Sequence, residues 1–403
     1  MTLLRTFAVL VVVLGACSGP TRTPISETEI AQAKPYGIPG LLRVWGDGLD
    51  GITKAGIREA LLVRARAMHN EALELGAPIT ETALALSGGG ADGAFGAGVL
   101  AGWTEKGDRP KFDIVSGVST GAIIGLFAFL GPEYDDDLRE LYTAYSTADL
   151  LEPALFSGLF GGTSISDTDA YNRLIDRYVN QDVIAALAQE GAKGRVLLIG
   201  TTNLDAARPV IWNATAIAQS GHPQAITLVR DLIRASSAIP AVFPPVVVPM
   251  VTQDGRSFDE LHVDGGTTQQ VMLFSAELPI SEIDRALGRK IDRTVYVIMN
   301  NSLEKRYEPV DLGILPIAGK AVSSLIGGSG VGDIYKIYAI TQRDEIDLRL
   351  LWVPRSFEQV PEEPFDRAYM QALYALGRDL GRGGVDWAEQ PPNFTISEGV
   401  GDD

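Results

Sequence analysis

The chain has 403 residues, 46% hydrophobic and 21% charged, a balance that builds a substantial core and excludes a disordered polymer. Its 51 acidic against 34 basic side chains leave a net charge of −17. That excludes a groove tracking nucleic-acid phosphates and argues against adsorption of the surface as a whole to anionic lipid. One cysteine excludes an intrachain disulfide and a multi-thiolate metal site.

Met1 to Ala16 carries one positive charge, Arg5, and then an apolar stretch from Phe7 to Leu14. That stretch is too short to span a bilayer and has the length of a secretory h-region. It runs into Leu14-Gly15-Ala16-Cys17, which resembles a bacterial lipobox, whose cysteine is acylated and becomes the first residue after cleavage. An ordinary signal peptide cut beside an incidental cysteine is the alternative, but an unpaired thiol in an exported protein favours lipidation of Cys17. Residues 1–16 are therefore expected to be a signal peptide. Residues 17–40, rich in Pro, Thr, Ser and Gly, are expected to be a lipidated tether. The expected location is the bacterial cell envelope, lipid-anchored at the outer membrane and facing the periplasm.

Residues 41–81 form a helical extension, with Leu61, Leu62, Ala65, Met68 and Leu75 at helical spacing. Thr82 to Ser87 is a short apolar strand leading into Gly88-Gly89-Gly90, and Ala94 to Glu105 a small-residue helix suited to close packing on a sheet. Phe112 to Ser116 is a buried strand, and Ala122 to Leu130 a buried helix. Further apolar runs at Val196–Gly200, Val246–Val248 and Val295–Met299 alternate with helical patterns. The expectation is an α/β fold with a largely parallel sheet covered on both faces, with a core over 82–300. A helix through Ile334 to Glu345, a strand at Leu348–Val353 and a helix at Asp366–Leu380 complete the domain over 301–385. Leu312 to Ile326, apolar and punctuated by glycine, reads either as a buried helix or as a lid. Residues 386–403, with Pro391-Pro392 and an acidic end, are expected to be disordered.

Chemistry concentrates in a few short blocks. Gly117-Val118-Ser119-Thr120-Gly121 sits between a strand and a helix, the setting of a nucleophile elbow. Gly117 and Gly121 permit the sharp turn, and the following helix places positive potential at the Ser119 oxygen. Bare N–H groups in the Ser87 to Gly93 loop suit an oxyanion hole. Gly88, Gly90 and Gly93 also satisfy G-x-G-x-x-G, but a ribose-binding acid should close the second strand, and Asp113 precedes it. His262-Val263-Asp264-Gly265-Gly266 offers a carboxylate on a tight turn, and Ala235 to Pro245 a proline-stiffened loop after a helix. The three histidines are His69, His222 and His262, and none follows Asp264. A Ser–Asp dyad is therefore the simpler reading, while His262, two residues from Asp264, leaves a histidine-assisted variant open.

In this order the blocks resemble the patatin-like phospholipases, from Ala83 to Gly266, with a fainter echo from Phe365 to Gly384. The resemblance implies an α/β/α sandwich and hydrolysis of acyl esters in membrane lipids. Ser119 would be the nucleophile and Asp264 its dyad partner. The amides of Gly89 and Gly90, with Gly88 or Ala91 close by, would form the oxyanion hole. It implies a lipid ester as substrate; the lipobox adds a membrane reached through the N-terminal anchor, the net charge argues against a nucleic-acid partner, and no metal or cofactor is expected. Three departures mark this chain. Asp92 stands where a cation is usual, Ser87 where aspartate is common, and Thr267-Thr268-Gln269-Gln270 lacks the usual asparagine and proline. They leave a catalytically weak lipid- or partner-binding protein on the same fold as the alternative.

Overall fold

The computed structural model describes residues 22–30, 32–153, 166–240, 242–304, 307 and 309–394. Cys17, the expected signal peptide and the end of the acidic tail lie outside them.

The strands in chain order are β1 (Lys34–Pro35), β2 (Arg43–Trp45), β3 (Thr80–Leu86), β4 (Ile114–Val118), β5 (Glu152–Pro153), β6 (Ser166–Asp167), β7 (Val196–Asn203), β8 (Arg208–Asn213), β9 (Val246–Val251), β10 (Ser257–Asp264), β11 (Asp292–Met299) and β12 (Asp347–Trp352). Apart from the small β5–β6 ladder they form one sheet, ordered β1-β9-β10-β7-β4-β3-β11-β12, with β8 joined to β7 and β2 to β8. The run β7-β4-β3-β11-β12 is parallel. The strands beyond β7 are antiparallel.

Ala83–Leu86 and Val115–Val118 are buried without alternation, as strands covered on both faces must be. Leu84 and Leu86 enter one core with Phe95, Leu100, Ile124 and Phe127. Ala83 and Ala85 enter a second with Val295, Val297, Ile334 and Ile337. Side-chain alternation along one strand therefore separates two helix layers, which gives the expected three-layer sandwich. The elbow helix, Thr120–Leu130, has ten of its eleven residues buried.

Three features differ from the sequence-based expectations. Glycines of the helix Gly93–Lys106 open space for another helix as well as for the sheet. A Cβ at Gly98 would lie 2.9 Å from the backbone N of Arg378, and one at Gly377 would lie 2.9 Å from that of Val99. The C-terminal helix, Arg367–Gly383, thus packs backbone to backbone against the helix that follows the glycine loop.

The second half of the expected tether is part of the body. β1 pairs with Met250 and Val251, and Ile38 is fully buried. The peptide covers an edge of β9 whose backbone groups would otherwise be unpaired. The first part of the expected disordered tail is also docked. Ala388 exchanges both backbone hydrogen bonds with Leu350 (2.7 and 2.9 Å), and Trp387 packs at 5.1 Å from both Trp103 and Tyr296. In both segments one or two apolar side chains hold a polar stretch, a signal that composition averages away.

Candidate active site

β7 positions the site. Its Val196–Gly200 stretch pairs with β4, and its Thr201–Asn203 stretch with β10, while β8 occupies the opposite edge over Leu198–Asn203. One edge of β7 is therefore handed from β4 to β10. Val118, the last residue of β4, faces Gly200, and Asp264, the last of β10, faces Thr201. Because β4 runs parallel to β7 and β10 antiparallel, the two strands meet tip to tip. The turn after β4 carries Ser119 to the turn that carries Asp264.

Ser119 has φ 55° and ψ −128°, a strained conformation for a residue with a side chain. Its N–H donates to Ser236 Oγ (2.8 Å), whose hydroxyl donates to the Gly200 carbonyl (2.6 Å). Ser236 thereby pins the strained turn to β7. The elbow glycines are needed for close approach. A Cβ at Gly121 would lie 2.6 Å from the Ser87 carbonyl oxygen, and one at Gly117 would strike the Gly121 backbone.

Asp264 is 3% exposed. Its N–H donates to the Ala238 carbonyl (2.9 Å), and its Oδ1 accepts from the Gly266 N–H (2.7 Å). Burial pushes its carboxyl up to about 7, against the pull of the Ser119 hydroxyl and the Gly266 N–H, which favour the charged form.

The glycine loop is shaped by Ser87 and Asn300, both fully buried. Ser87 Oγ donates to the Gly88 carbonyl (2.7 Å) and accepts from the Asn300 N–H (2.8 Å). Asn300 Nδ2 donates to the Ser87 carbonyl (2.8 Å), and its Oδ1 accepts from the Gly96 N–H (3.1 Å). Of the four residues expected to form the oxyanion hole, Gly88 is differently employed, because its N–H donates to the Gln270 carbonyl (3.0 Å). The N–H groups of Gly89, Gly90 and Ala91 find no acceptor among the described residues. Asp92 accepts a hydrogen bond from the Tyr369 hydroxyl (2.6 Å), tying the loop to the C-terminal helix.

A cavity of about 70 Å³ opens beside Ser119, walled mainly by Ile123, Leu141, Tyr142, Leu150, Tyr171, Leu174 and Phe243. It is apolar and abuts Gly90. A larger apolar cavity, about 470 Å³, lies beneath the N-terminal helix Gly51–Leu75 and touches neither Ser119 nor Asp264.

The other candidates are used elsewhere. His262 is fully buried, with Nδ1 at Thr201 Oγ1 (3.0 Å) and Nε2 at Glu260 Oε2 (3.1 Å). With both ring nitrogens engaged, it braces β10 and is not placed to assist Ser119. Asp113 accepts from the Thr82 N–H (2.8 Å) near the start of β3, the opposite end of the strand from the glycine loop. Sequence reasoning did not single out Ser236, Asn300 or Tyr171 for the site. Only Ser236 fell inside a block that had drawn notice; single buried polar residues leave no pattern to read.

Residues 84–280 match the family described as Patatin-like phospholipase. No curated protein matches the chain. Among solved structures, VipD from Legionella pneumophila is 13% identical with a TM-score of 0.32, over 75% of this chain and 67% of that one. A chain from the complex of SpcU with ExoU of Pseudomonas aeruginosa is 14% identical with a TM-score of 0.24. That match covers 76% of this chain and 52% of the other, so this chain spans about half its length. Residues 84–280, just under half of the chain, thus form a patatin-like phospholipase domain.

Proposed function

We propose that the chain is a serine acyl hydrolase that cleaves carboxylic esters of lipids through a Ser119–Asp264 dyad, in the manner of a phospholipase A or lysophospholipase. The observation that carries this reading is the tip-to-tip meeting of β4 and β10 on β7, which sets the Ser119 hydroxyl beside a buried carboxylate. Asp264 takes the serine proton as Ser119 Oγ adds to the ester carbonyl carbon. The N–H groups of Gly89, Gly90 and Ala91 receive the oxyanion, each such donor contributing about 3 kcal/mol. When the intermediate collapses, the ester C–O bond breaks and Asp264 returns its proton to the leaving alkoxide. Water then repeats the sequence: Asp264 takes a proton from it, the hydroxide adds to the acyl-enzyme, and the proton passes to departing Ser119. A carboxyl held at about 7 is suited to both halves, because its proton affinity is balanced at neutral pH.

The apolar cavity beside Ser119 favours an acyl chain on the acid side of the ester. Attachment to the cell envelope through acylated Cys17 is part of the same reading. A fluorophosphonate probe tests the chemistry: labelling of the wild type that disappears in Ser119→Ala supports it, and labelling that survives the substitution rejects it. Cys17→Ser tests the anchor, and a variant that stays in the membrane fraction rejects it.

A further inference from the structure

The long helix Ile314–Arg343 is held to the body by its second half. There Ile334 and Ile337 are buried against Val295 and Val297, and the Asp333 carboxylate accepts from the Gln270 N–H (2.7 Å). Upstream the surroundings change. Leu312, just before the helix, is 100% exposed; Ile317, Val322 and Leu325 are 52%, 37% and 74% exposed. At 100° per residue the last three fall within an arc of about 140°, one face of a helix. Four large apolar side chains left in water in one short segment mark a surface that meets something.

Between the halves lie Gly327, Gly328, Gly330 and Gly332, poor helix formers in a helix interior. Packing explains only one of them. A Cβ at Gly330 would lie 3.1 Å from Gln270 Cγ, whereas one at Gly327, Gly328 or Gly332 would meet nothing within 4 Å. The helix is thus weakened where its upstream half joins its anchored half. The weak point rests on the catalytic loops: Gln270, in contact at Gly330, also fills the space that a Cβ on Gly88 or Gly266 would take.

Charge identifies the partner. Leu312 to Gly332 contains no carboxylate, in a chain with 51 of them, and Lys320 is its one charged residue. On a protein of net charge −17, this segment can approach a headgroup layer without repulsion. No helix among the described residues is long and apolar enough to cross a membrane, so such a segment would lie on a bilayer without spanning it.

We propose that residues 312–326 form an arm, hinged at Gly327–Gly332, that lies in the lipid–water interface and seats the Ser119 opening on the lipid surface. The arm's helical part, 314–326, is about 20 Å long at 1.5 Å per residue. The proposal rests on the lipid-hydrolase reading above, so its test separates binding from catalysis.

Replacing Cys17 by serine leaves the chain free of cysteine, so Leu325→Cys then gives one site for an environment-sensitive dye. Ile52→Cys, on the remote N-terminal helix and 88% exposed, serves as the control site. In full-length chains that also carry Ser119→Ala, vesicles of phosphatidylcholine with phosphatidylglycerol should shift the dye at 325 to the blue. A bilayer-resident quencher should then quench it, with neither effect at 52. No shift at 325, or an equal one at 52, overturns the proposal whatever Ser119 does. In the active chain, Leu312→Asp with Leu325→Asp should lower turnover of vesicle lipid about tenfold or more, because the apolar contact is lost. Turnover of a soluble short-chain ester should stay unchanged; an equal effect on both substrates overturns the proposal. Absence of soluble-ester turnover in the wild type would instead sink the catalytic reading and leave the dye result standing.

Discussion

Replacing Asp264 by asparagine should cut turnover sharply and, as pH rises, increasingly stabilise the fold relative to wild type. Asp264 is fully buried, and its carboxyl is pushed up to about 7 from 3.8, chiefly by burial. Below the unfolded value both states are protonated, and the side chain imposes no pH-dependent cost. Between 3.8 and about 7 the unfolded chain has released the proton while the folded chain retains it. Stability therefore falls by ~1.4 kcal/mol per pH unit across that window, reaching a loss of ~4 kcal/mol above it. Asparagine keeps the shape and can still accept from the Gly266 N–H, but it has no proton to lose. Any cost of burying its amide is the same at every pH. The stability of the variant relative to wild type should thus rise by about 3 kcal/mol between pH 5 and pH 8, two pH units of the window. Urea unfolding followed across that range reads this directly, as a widening gap between midpoints at constant slope. A gap that stays flat with pH would refute the assignment of a raised carboxyl to Asp264. Loss of the general base should meanwhile lower kcat by about 10² to 10⁴-fold.

Wild-type kcat/KM on a neutral ester should rise with pH through about 7, as Asp264 ionises and becomes able to accept the serine proton; a flat profile would exclude it as the base. Ser119→Ala should lower ester turnover by about 10⁴-fold or more without unfolding the chain, checked by initial rates beside circular dichroism. Ser236→Ala leaves the buried Ser119 N–H unpaired and should cost about 1–3 kcal/mol in thermal denaturation. It should also lower kcat with little change in KM, because the elbow loosens while the acyl cavity stays. Gly121→Ala would drive a methyl group to 2.6 Å from the Ser87 carbonyl, so soluble yield should collapse or stability fall by about 1–3 kcal/mol.

Much of the parallel sheet was readable because its strands are buried on both faces and advertise themselves as apolar runs: Ala83–Leu86, Val115, Val295–Met299 and Leu348–Trp352 all fall in strands. β8 and β10 were harder. Arg208–Asn213 mixes polar and apolar residues, and Ser257–Asp264 carries Asp259, Glu260 and His262 inside a strand. Asp259 accepts from the Thr23 N–H (3.0 Å), and the buried Glu260 and His262 satisfy each other. Glu260 pairs with Arg43 and meets the His262 ring, a partnership between segments far apart in the chain. The helix Ile314–Arg343 reads from sequence as two pieces, a helix from Ile334 and a helix or lid at Leu312–Ile326, since glycines at 327–332 erase the periodicity that marks a helix. Leu312 to Ile326 proved to be largely exposed apolar surface at the four positions named above, where burial had been one of the two expectations.

The elbow and the glycine loop were determined by sequence alone, because each is a local device. Gly117 and Gly121 flank the serine within one strand-turn-helix, and Gly88-Gly89-Gly90 follow directly on their strand. Tertiary structure decided everything that joins distant segments. Asp264 reaches Ser119 because β7 passes one edge from β4 to β10. Gly88 leaves the set of free amides because Gln270 lies across it, and Ser236 and Asn300 fix the two turns of the candidate site from elsewhere in the chain. A turn is specified by its own residues, whereas a shared strand edge is specified only when all three strands are in place.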